Sequence, residues 1–137
     1  MTWLIDTGPF VAYVARTDSA HPRVAASLEA FTGQLATTSA VVTEVTYFLS
    51  DIDGGPIAFA ELLSASDTRI AESTNPAQIL VAAQLMDKYS DTPMDFADAT
   101  LVLLAEELAV SEILTLDHRG FSTYRTANGK SFRLVLS

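Results

Sequence analysis

The chain has 137 residues, which is the size of one compact domain, and apolar residues make up 49% of it. It can therefore bury a hydrophobic core, and no low-complexity stretch or long run of like charge indicates disorder. No apolar run approaches the roughly 18–20 residues that span a bilayer, and the first residues lack the pattern of a secretory signal. The absence of cysteine excludes disulfides, thiolate zinc sites and cysteine nucleophiles. We expect a cytoplasmic protein that makes no membrane contact.

The net charge of −9, from 17 acidic and 8 basic residues, is opposite in sign to that of an ordinary nucleic-acid-binding protein. A cluster of acids that holds Mg²⁺ or Mn²⁺ would invert the local sign and give phosphate groups a place to bind. A basic protein partner is the other interpretation of this charge. Composition alone leaves both interpretations open.

The first half of the chain alternates short apolar runs with helical patterns. Pro9 stands in the first turn of one helical pattern, Asp18 or Ser19 can cap the next, and Ser39 can cap a third. The pattern predicts strands at residues 2–5 and 34–37, the second of them weak, and helices over residues 7–16, 19–31 and 40–49.

The second half continues this alternation. It predicts helices over residues 57–65, 77–89 and 96–109, strands at 68–71, 112–116 and 132–136, and turns at 53–56 and 127–130. Strands that alternate with helices predict a parallel sheet covered by helices on both faces. No internal repeat and no long linker divides the chain, so we predict one domain over residues 1–137.

Two aspartates, Asp6 and Asp117, each follow a predicted apolar strand directly. In an open α/β sheet, ligands bind in the crevice outside the carboxyl ends of the strands. Two carboxylates at the ends of neighbouring strands would lie close together there. Each residue considered alone is equally well explained as a turn residue or a helix cap.

Glu44 lies in a helix that the i, i+4, i+7 spacing predicts to bury Val41, Val45 and Phe48. It would then stand beside the apolar stripe rather than opposite it. A carboxylate near a core is destabilising unless it is paired or bound to a metal. The alternative is that Glu44 reaches past the stripe to solvent or to an arginine.

Asp95 and Asp98 open the helix that ends near residue 109, at the N-cap and the third helical position. Helix capping and the helix dipole account for acids at both positions. Asp98 is nevertheless followed by a nearly continuous apolar run, so it would point towards whatever packs on the start of the helix. The same dipole would help to keep a metal-binding carboxylate ionised.

These acids occur in four sequence segments. The segments and their order along the chain resemble the motifs of the PIN domain, especially those of the VapC-type toxins of bacterial toxin–antitoxin pairs. The segments are Ile5-Asp6-Thr7-Gly8, Ser39-Ala-Val-Val-Thr-Glu44-Val, Pro93-Met-Asp-Phe-Ala-Asp98-Ala99 and Leu114-Thr-Leu-Asp117-His-Arg-Gly-Phe121. Each motif alone is weak, but four in the family order span nearly the whole chain and form a fairly specific signal.

The resemblance implies a three-layer α/β/α sandwich with a central, mainly parallel sheet. It implies a Mg²⁺- or Mn²⁺-dependent endoribonuclease that acts on RNA, often as a homodimer neutralised by a small antitoxin protein. The catalytic and metal-binding acids of the family fall on Asp6, Glu44, Asp98 and Asp117. Asp95 competes with Asp98 for the third place, and Gly120 stands where the family commonly has an acid before the phenylalanine.

The basic residues and histidines offer fewer candidates. His118 beside Asp117 is interpreted as a surface residue and His21 as structural or exposed, and no Gly-x-Ser-x-Gly turn or phosphate-binding glycine loop is present. Arg119 is the cation best placed beside the acids. The others that could contact RNA phosphates are Arg16, Arg125, Lys130 and Arg133.

Two other classes are compatible with an acidic α/β chain. A phospho-acceptor receiver domain needs paired acids after its first strand, whereas here Thr7 follows Asp6, and no lysine lies at a suitable strand end. A catalytically silent PIN-like module that only binds a partner is the second alternative. The intact set of four acids argues against it.

Overall fold

Five strands form one sheet in the computed structural model, which describes residues 1–136. The sheet order is β3-β2-β1-β4-β5, and every neighbouring pair of strands is parallel, as the sequence predicted. The strands are β1 (Thr2–Ile5), β2 (Gln34–Thr38), β3 (Arg69–Ala71), β4 (Glu112–Leu114) and β5 (Arg133–Leu134).

Helices cover the sheet and complete a three-layer α/β/α sandwich. They are α1 (Thr7–Val14), α2 (His21–Ala30), α3 (Ser39–Leu49), α4 (Gly55–Ala65), α5 (Pro76–Lys88), α6 (Phe96–Leu108) and α7 (His118–Thr123). Within residues 1–136, no helix is both long and apolar enough to cross a membrane. The predicted domain limit at residue 137 lies outside the described residues.

The centre of the sheet is buried, because helices pack against both of its faces. Leu4 and Ile5 of β1 and Ile113 and Leu114 of β4 are all fully buried. A continuous apolar run is the pattern of a parallel strand that is covered on both faces. These two strands pair in the register Ile5↔Leu114 and therefore end side by side.

The chain order places a crevice at the carboxyl ends of β1 and β4. From β1 the chain proceeds outward through β2 and β3, and it then returns to the other side of β1 to form β4 and β5. Such a reversal of strand order is a topological switch point, where the connections leave the sheet in opposite directions. Asp6 lies at this point, and its backbone N–H donates to the Leu114 carbonyl at 3.1 Å.

Several sequence predictions about local structure were wrong. Thr38 rather than Ser39 caps α3, and the N-cap of α2 is Ala20 rather than Asp18 or Ser19. The predicted strand to residue 116 ends at Leu114, since the chain then turns to begin the unpredicted helix α7. Phe48 was expected in the core, but it is 53% exposed, and α3 buries Val41, Val45 and Leu49 instead. The spacing of four between successive buried residues turns Phe48 towards the carboxyl edge of the sheet, on the same side as Glu44.

Candidate active site

Six carboxylates line one cavity of about 520 Å³ at the carboxyl edge of the sheet. The structure brings together all four acids that the sequence singled out. It also places Asp95, which competed with Asp98 for the third place, and Asp18 in the lining. One side of the cavity is partly apolar, since it is lined by Phe48, Val11 and Leu116, while the floor is acidic.

Asp6 is the most enclosed of these acids, with 6% of its surface exposed. It is the N-cap of α1: one carboxylate oxygen accepts the Thr7 N–H at 2.8 Å, and the other accepts the Thr115 hydroxyl at 2.8 Å. Burial raises the pKa of Asp6 to about 6, with smaller contributions from Asp95 and Asp117, although the two hydrogen bonds lower it. These two hydrogen bonds fix the position of the Asp6 carboxylate, and no base within residues 1–136 neutralises its charge.

Thr115 connects two of the acids and was not recognised from the sequence. Its hydroxyl donates to Asp6 and accepts the Asp117 N–H at 3.0 Å, and its side chain is fully buried. The available signal was a hydroxyl residue inside an apolar strand pattern that ends in an acid. The threonine therefore sets the position of the Asp117 backbone relative to the Asp6 side chain.

Asp95 and Asp98 form a reciprocal capping box at the start of α6. The Asp98 N–H donates to Asp95 at 2.8 Å, and the Asp95 N–H donates to Asp98 at 3.1 Å. Burial, followed by the charges of Asp6 and Asp95, raises the pKa of Asp98 to about 8. Capping and clustering, which the sequence presented as alternatives, are therefore both present at Asp98.

Glu44 reaches the same cavity from α3. Burial raises its pKa, the Thr7 hydroxyl lowers it, and Asp95 raises it. The Thr7 hydroxyl itself is buried and makes no regular hydrogen bond within residues 1–136. Every charge that shifts the pKa of Asp6, Glu44 or Asp98 belongs to another carboxylate. The site is therefore a concentration of negative charge.

Asp117 lies beyond the end of β4, at the N-cap of α7, where its carboxylate accepts the Gly120 N–H at 3.0 Å. It is exposed, in contrast to Asp6. A Cβ atom at position 120 would overlap the Asp117 carboxylate and lie 3.0 Å from the Tyr124 hydroxyl. Gly120, which departs from the family pattern, is thus required by the close approach of Asp117.

We expect Gly120→Ala to displace the Asp117 carboxylate; if Asp117 holds a metal as the family resemblance implies, RNA cleavage should fall by about 10- to 100-fold. Loss of the cap should lower the free energy of unfolding by about 1 kcal/mol. Single-turnover cleavage and urea denaturation measure the two effects. Ser122→Ala, an exposed change in the same helix, should alter neither. Equal activity in the two variants would contradict this account of Gly120.

The structure separates the basic residues into different roles. The Arg125 guanidinium donates to the carbonyls of residues 122, 123 and 124 at 2.9, 3.0 and 2.9 Å, so it caps α7. Arg133 pairs with Glu112 at 3.6 Å. Arg119 and Arg16 are exposed, and Arg119 stands two residues after Asp117 in α7.

The two histidines lie outside the acid cluster. His118 is exposed, and the His21 ring makes a hydrogen bond to the Ala12 carbonyl at 2.8 Å, which is a structural role. Neither histidine lines the acidic cavity. The site therefore offers oxygen ligands alone.

A family model described as the PIN domain matches residues 3–126 of this chain. The chain belongs to the PIN domain family. The relative Ribonuclease VapC26 of Mycobacterium tuberculosis (strain ATCC 25618 / H37Rv) is 31% identical over 134 residues, covering 96% of this chain and 98% of the relative. These matches confirm the family inferred from the four acidic motifs.

Two solved structures share the PIN fold. The crystal structure of Mycobacterium tuberculosis VapC20, described as a Sarcin-Ricin loop cleaving toxin, superposes with a TM-score of 0.76 at 16% identity, covering 86% of this chain and 91% of that one. FitAB bound to an IR36 DNA fragment superposes with a TM-score of 0.63 at 18% identity, covering 88% of each chain. At these identities the likeness shows the fold.

The donor atoms of this PIN domain fit a hydrated divalent cation. Within residues 1–136 no three acidic or histidine side chains form a ready-made metal cage. Mg²⁺ and similar hard cations do not need one, because they keep several waters and use one or two carboxylates beside the phosphate. Asp6, held in place by two hydrogen bonds, and the buried Thr7 hydroxyl supply oxygen at the floor of the cavity.

Proposed function

We propose that this chain is a Mg²⁺- or Mn²⁺-dependent endoribonuclease that hydrolyses phosphodiester bonds in RNA. The observation that carries the proposal is the convergence of Asp6, Glu44, Asp98 and Asp117 on one cavity at the switch point of a PIN fold. The pKa values of Asp6, Glu44 and Asp98 rise through burial and through repulsion by neighbouring carboxylates, which a cation would relieve. The relative that covers nearly the whole chain is itself named a ribonuclease.

In this proposal the four acids divide the work by their surroundings. When bound, the cation supplies positive charge for the phosphate oxygens and acidifies a water for attack on phosphorus. Asp6, held by two hydrogen bonds, and Asp98 are the firmest ligands, while Glu44 and Asp117 bind directly or through water. A carboxylate oxygen of Glu44 or Asp98 accepts the proton of the attacking water, since a raised pKa suits a general base.

The negative charge of the chain then affects how it binds RNA. With its cation absent, the cavity repels phosphate, and the exposed Arg119 is the nearest positive charge in α7. RNA binding should therefore depend on the cation rather than on a broad basic surface. This reconciles the net charge of −9 with a nucleic-acid substrate.

Cleavage of 5′-labelled RNA in Mg²⁺ or Mn²⁺, compared with EDTA, tests the proposed activity. Asp98→Asn should lower the rate by more than about 100-fold, because loss of a ligand exceeds the effect of losing an outer partner. Asp87→Asn removes an equal charge from the exposed surface of α5 and should leave the rate unchanged. Absence of cation-dependent cleavage by the unaltered chain would favour the silent partner-binding module.

We also propose that the chain is the toxin of a toxin–antitoxin pair and forms a homodimer. Two exposed apolar surfaces support protein partners. One on α5 contains Ile79, Leu80 and Val81, which are 43, 60 and 42% exposed. The other contains Phe48, which lines the acidic cavity, and Tyr47, whose ring contacts it; Ile52 and Ile57, which follow in the chain, are also exposed. Apolar patches of this kind on a protein surface commonly mark protein–protein contacts.

We assign the homodimer contact to the α5 surface. Leu80→Glu should convert the dimer to a monomer, because it would place a charge inside a desolvated contact. Sedimentation velocity measures this. Ile57→Glu, an equivalent change on the other apolar surface, should leave the dimer intact. The opposite result would transfer the dimer contact to the surface beside the cavity.

A further inference from the structure

Tyr124, the residue that follows α7, connects the end of α7 to the segment that precedes α6. Its side chain is fully buried, and its hydroxyl donates to the Pro93 carbonyl at 2.5 Å. Pro93 stands two residues before Asp95, at the entrance to the capping box of α6. The bond therefore ties the end of α7 to the segment that leads into Asp95 and Asp98.

The Tyr124 hydroxyl lies within electrostatic reach of four carboxylates. Burial raises the pKa of Tyr124, and the charges of Asp98, Asp117, Asp95 and Asp6 raise it further, in that order. The hydroxyl would also lie 3.0 Å from a Cβ atom on Gly120, next to the Asp117 carboxylate. The uncharged Tyr124 hydroxyl thus lies between α7, which Asp117 caps, and the segment that leads into α6.

Packing fixes the direction of this hydroxyl. The Tyr124 ring meets Tyr89 edge-on at 5.2 Å and 71°, and Phe121 at 5.1 Å and 81°. Phe121 in turn meets Phe132 at 5.4 Å. A ring held between aromatic neighbours has little rotational freedom, so its hydroxyl holds the Pro93 carbonyl at one place.

We infer that Tyr124 is a positioning residue, which sets the spacing between Asp117 and the Asp95–Asp98 capping box by holding the Pro93 carbonyl. Tyr124 is not among the residues that line the acidic cavity. Its effect on cleavage rests on the function proposed above, whereas its effect on cation affinity does not. Outer groups that orient metal ligands commonly contribute 10- to 100-fold to metal affinity.

Tyr89 supplies a matched control in the same aromatic cluster. Its hydroxyl accepts the Arg125 N–H at 2.9 Å, so it also holds the end of α7 by one hydrogen bond. Tyr89→Phe and Tyr124→Phe each remove one hydroxyl and keep the ring, but only the second removes a bond to the segment that precedes α6.

Isothermal titration calorimetry of Mn²⁺ binding to the intact chain tests the inference without any substrate. Tyr124→Phe should weaken Mn²⁺ binding by about tenfold or more, and Tyr89→Phe by less than about twofold. Thermal unfolding in EDTA should show that both variants fold and lose similar stability. Equal Mn²⁺ affinity in the two variants, or no Mn²⁺ binding by the unaltered chain, would overturn the positioning role.

Cleavage by the same three proteins separates this inference from the proposed function. If Tyr124→Phe cleaves RNA slowly and recovers at high Mn²⁺ concentration, the positioning role is supported, since occupancy compensates for weaker binding. If the unaltered chain binds Mn²⁺ but cuts no RNA, the proposed function fails. The difference in Mn²⁺ affinity between the two variants would then still decide the role of Tyr124.

Discussion

Asp6→Asn is expected to lower cation-dependent RNA cleavage by more than about 100-fold, the largest loss among single changes in the site. The carboxylate is 6% exposed, and its orientation is set by the Thr7 N–H and the Thr115 hydroxyl. Asparagine keeps the size and one acceptor oxygen of this side chain but carries no charge. Single-turnover cleavage at saturating Mn²⁺ measures the loss.

The same substitution should stabilise the cation-free protein at pH 8. Because burial raises the pKa of Asp6 to about 6 from 3.8, ionising it in the folded state is unfavourable. Removing that charge should raise the free energy of unfolding by about 1–3 kcal/mol. Asp18→Asn, in the same cavity, is the control. The assignment is wrong if Asp6→Asn keeps its activity or if Asp18→Asn loses as much.

Stability of the cation-free protein should fall as pH rises from about 4 to about 8. Asp6 and Asp98 have pKa values raised to about 6 and about 8 in the folded state, above their ordinary value of 3.8. Each acid therefore contributes stability that is fully present below about pH 4 and is lost as pH rises through its folded pKa. Glu44 acts in the same direction.

Urea denaturation in EDTA between pH 5 and pH 8.5 measures this slope, and Asp6→Asn should flatten it, with a change on the order of 2–3 kcal/mol assigned to Asp6. Millimolar Mn²⁺ should restore more stability at pH 8 than at pH 5, because protons compete with the cation for the carboxylates. A stability that increases with pH in EDTA would show that the acids are paired with bases in solution.

The strand-end rule predicted the position of Asp6 correctly, since Asp6 directly follows β1 at the carboxyl edge of the parallel sheet. Asp117 was predicted to follow its strand directly, yet it stands at the cap of α7, after the chain has left the ladder at Leu114. It reaches the cavity through Thr115 and Gly120. Sequence reasoning predicted an acid in this region. The path by which the chain carries Asp117 to the cavity depends on a turn after β4, which apolar periodicity does not predict.

Glu44 was singled out partly for a reason that did not hold. The predicted stripe included Phe48, which is exposed and lines the cavity beside Glu44. The conclusion that Glu44 faces the acids still agrees with the structure, because residues four apart share one face of a helix. Helical periodicity fixes neighbours along a face, but only packing decides which face is covered.

The sequence by itself determined the order of strands and helices, the parallel sheet and the four acids of the family pattern, because apolar periodicity and short motifs are local properties. Only the tertiary structure decided how those acids meet. Thr115 and Tyr124 act across 109 and 31 residues of chain, through hydroxyls whose partners no local pattern names. Burial, and with it the raised pKa of Asp6 and Asp98, likewise arises from elements that are distant in sequence and packed together in space.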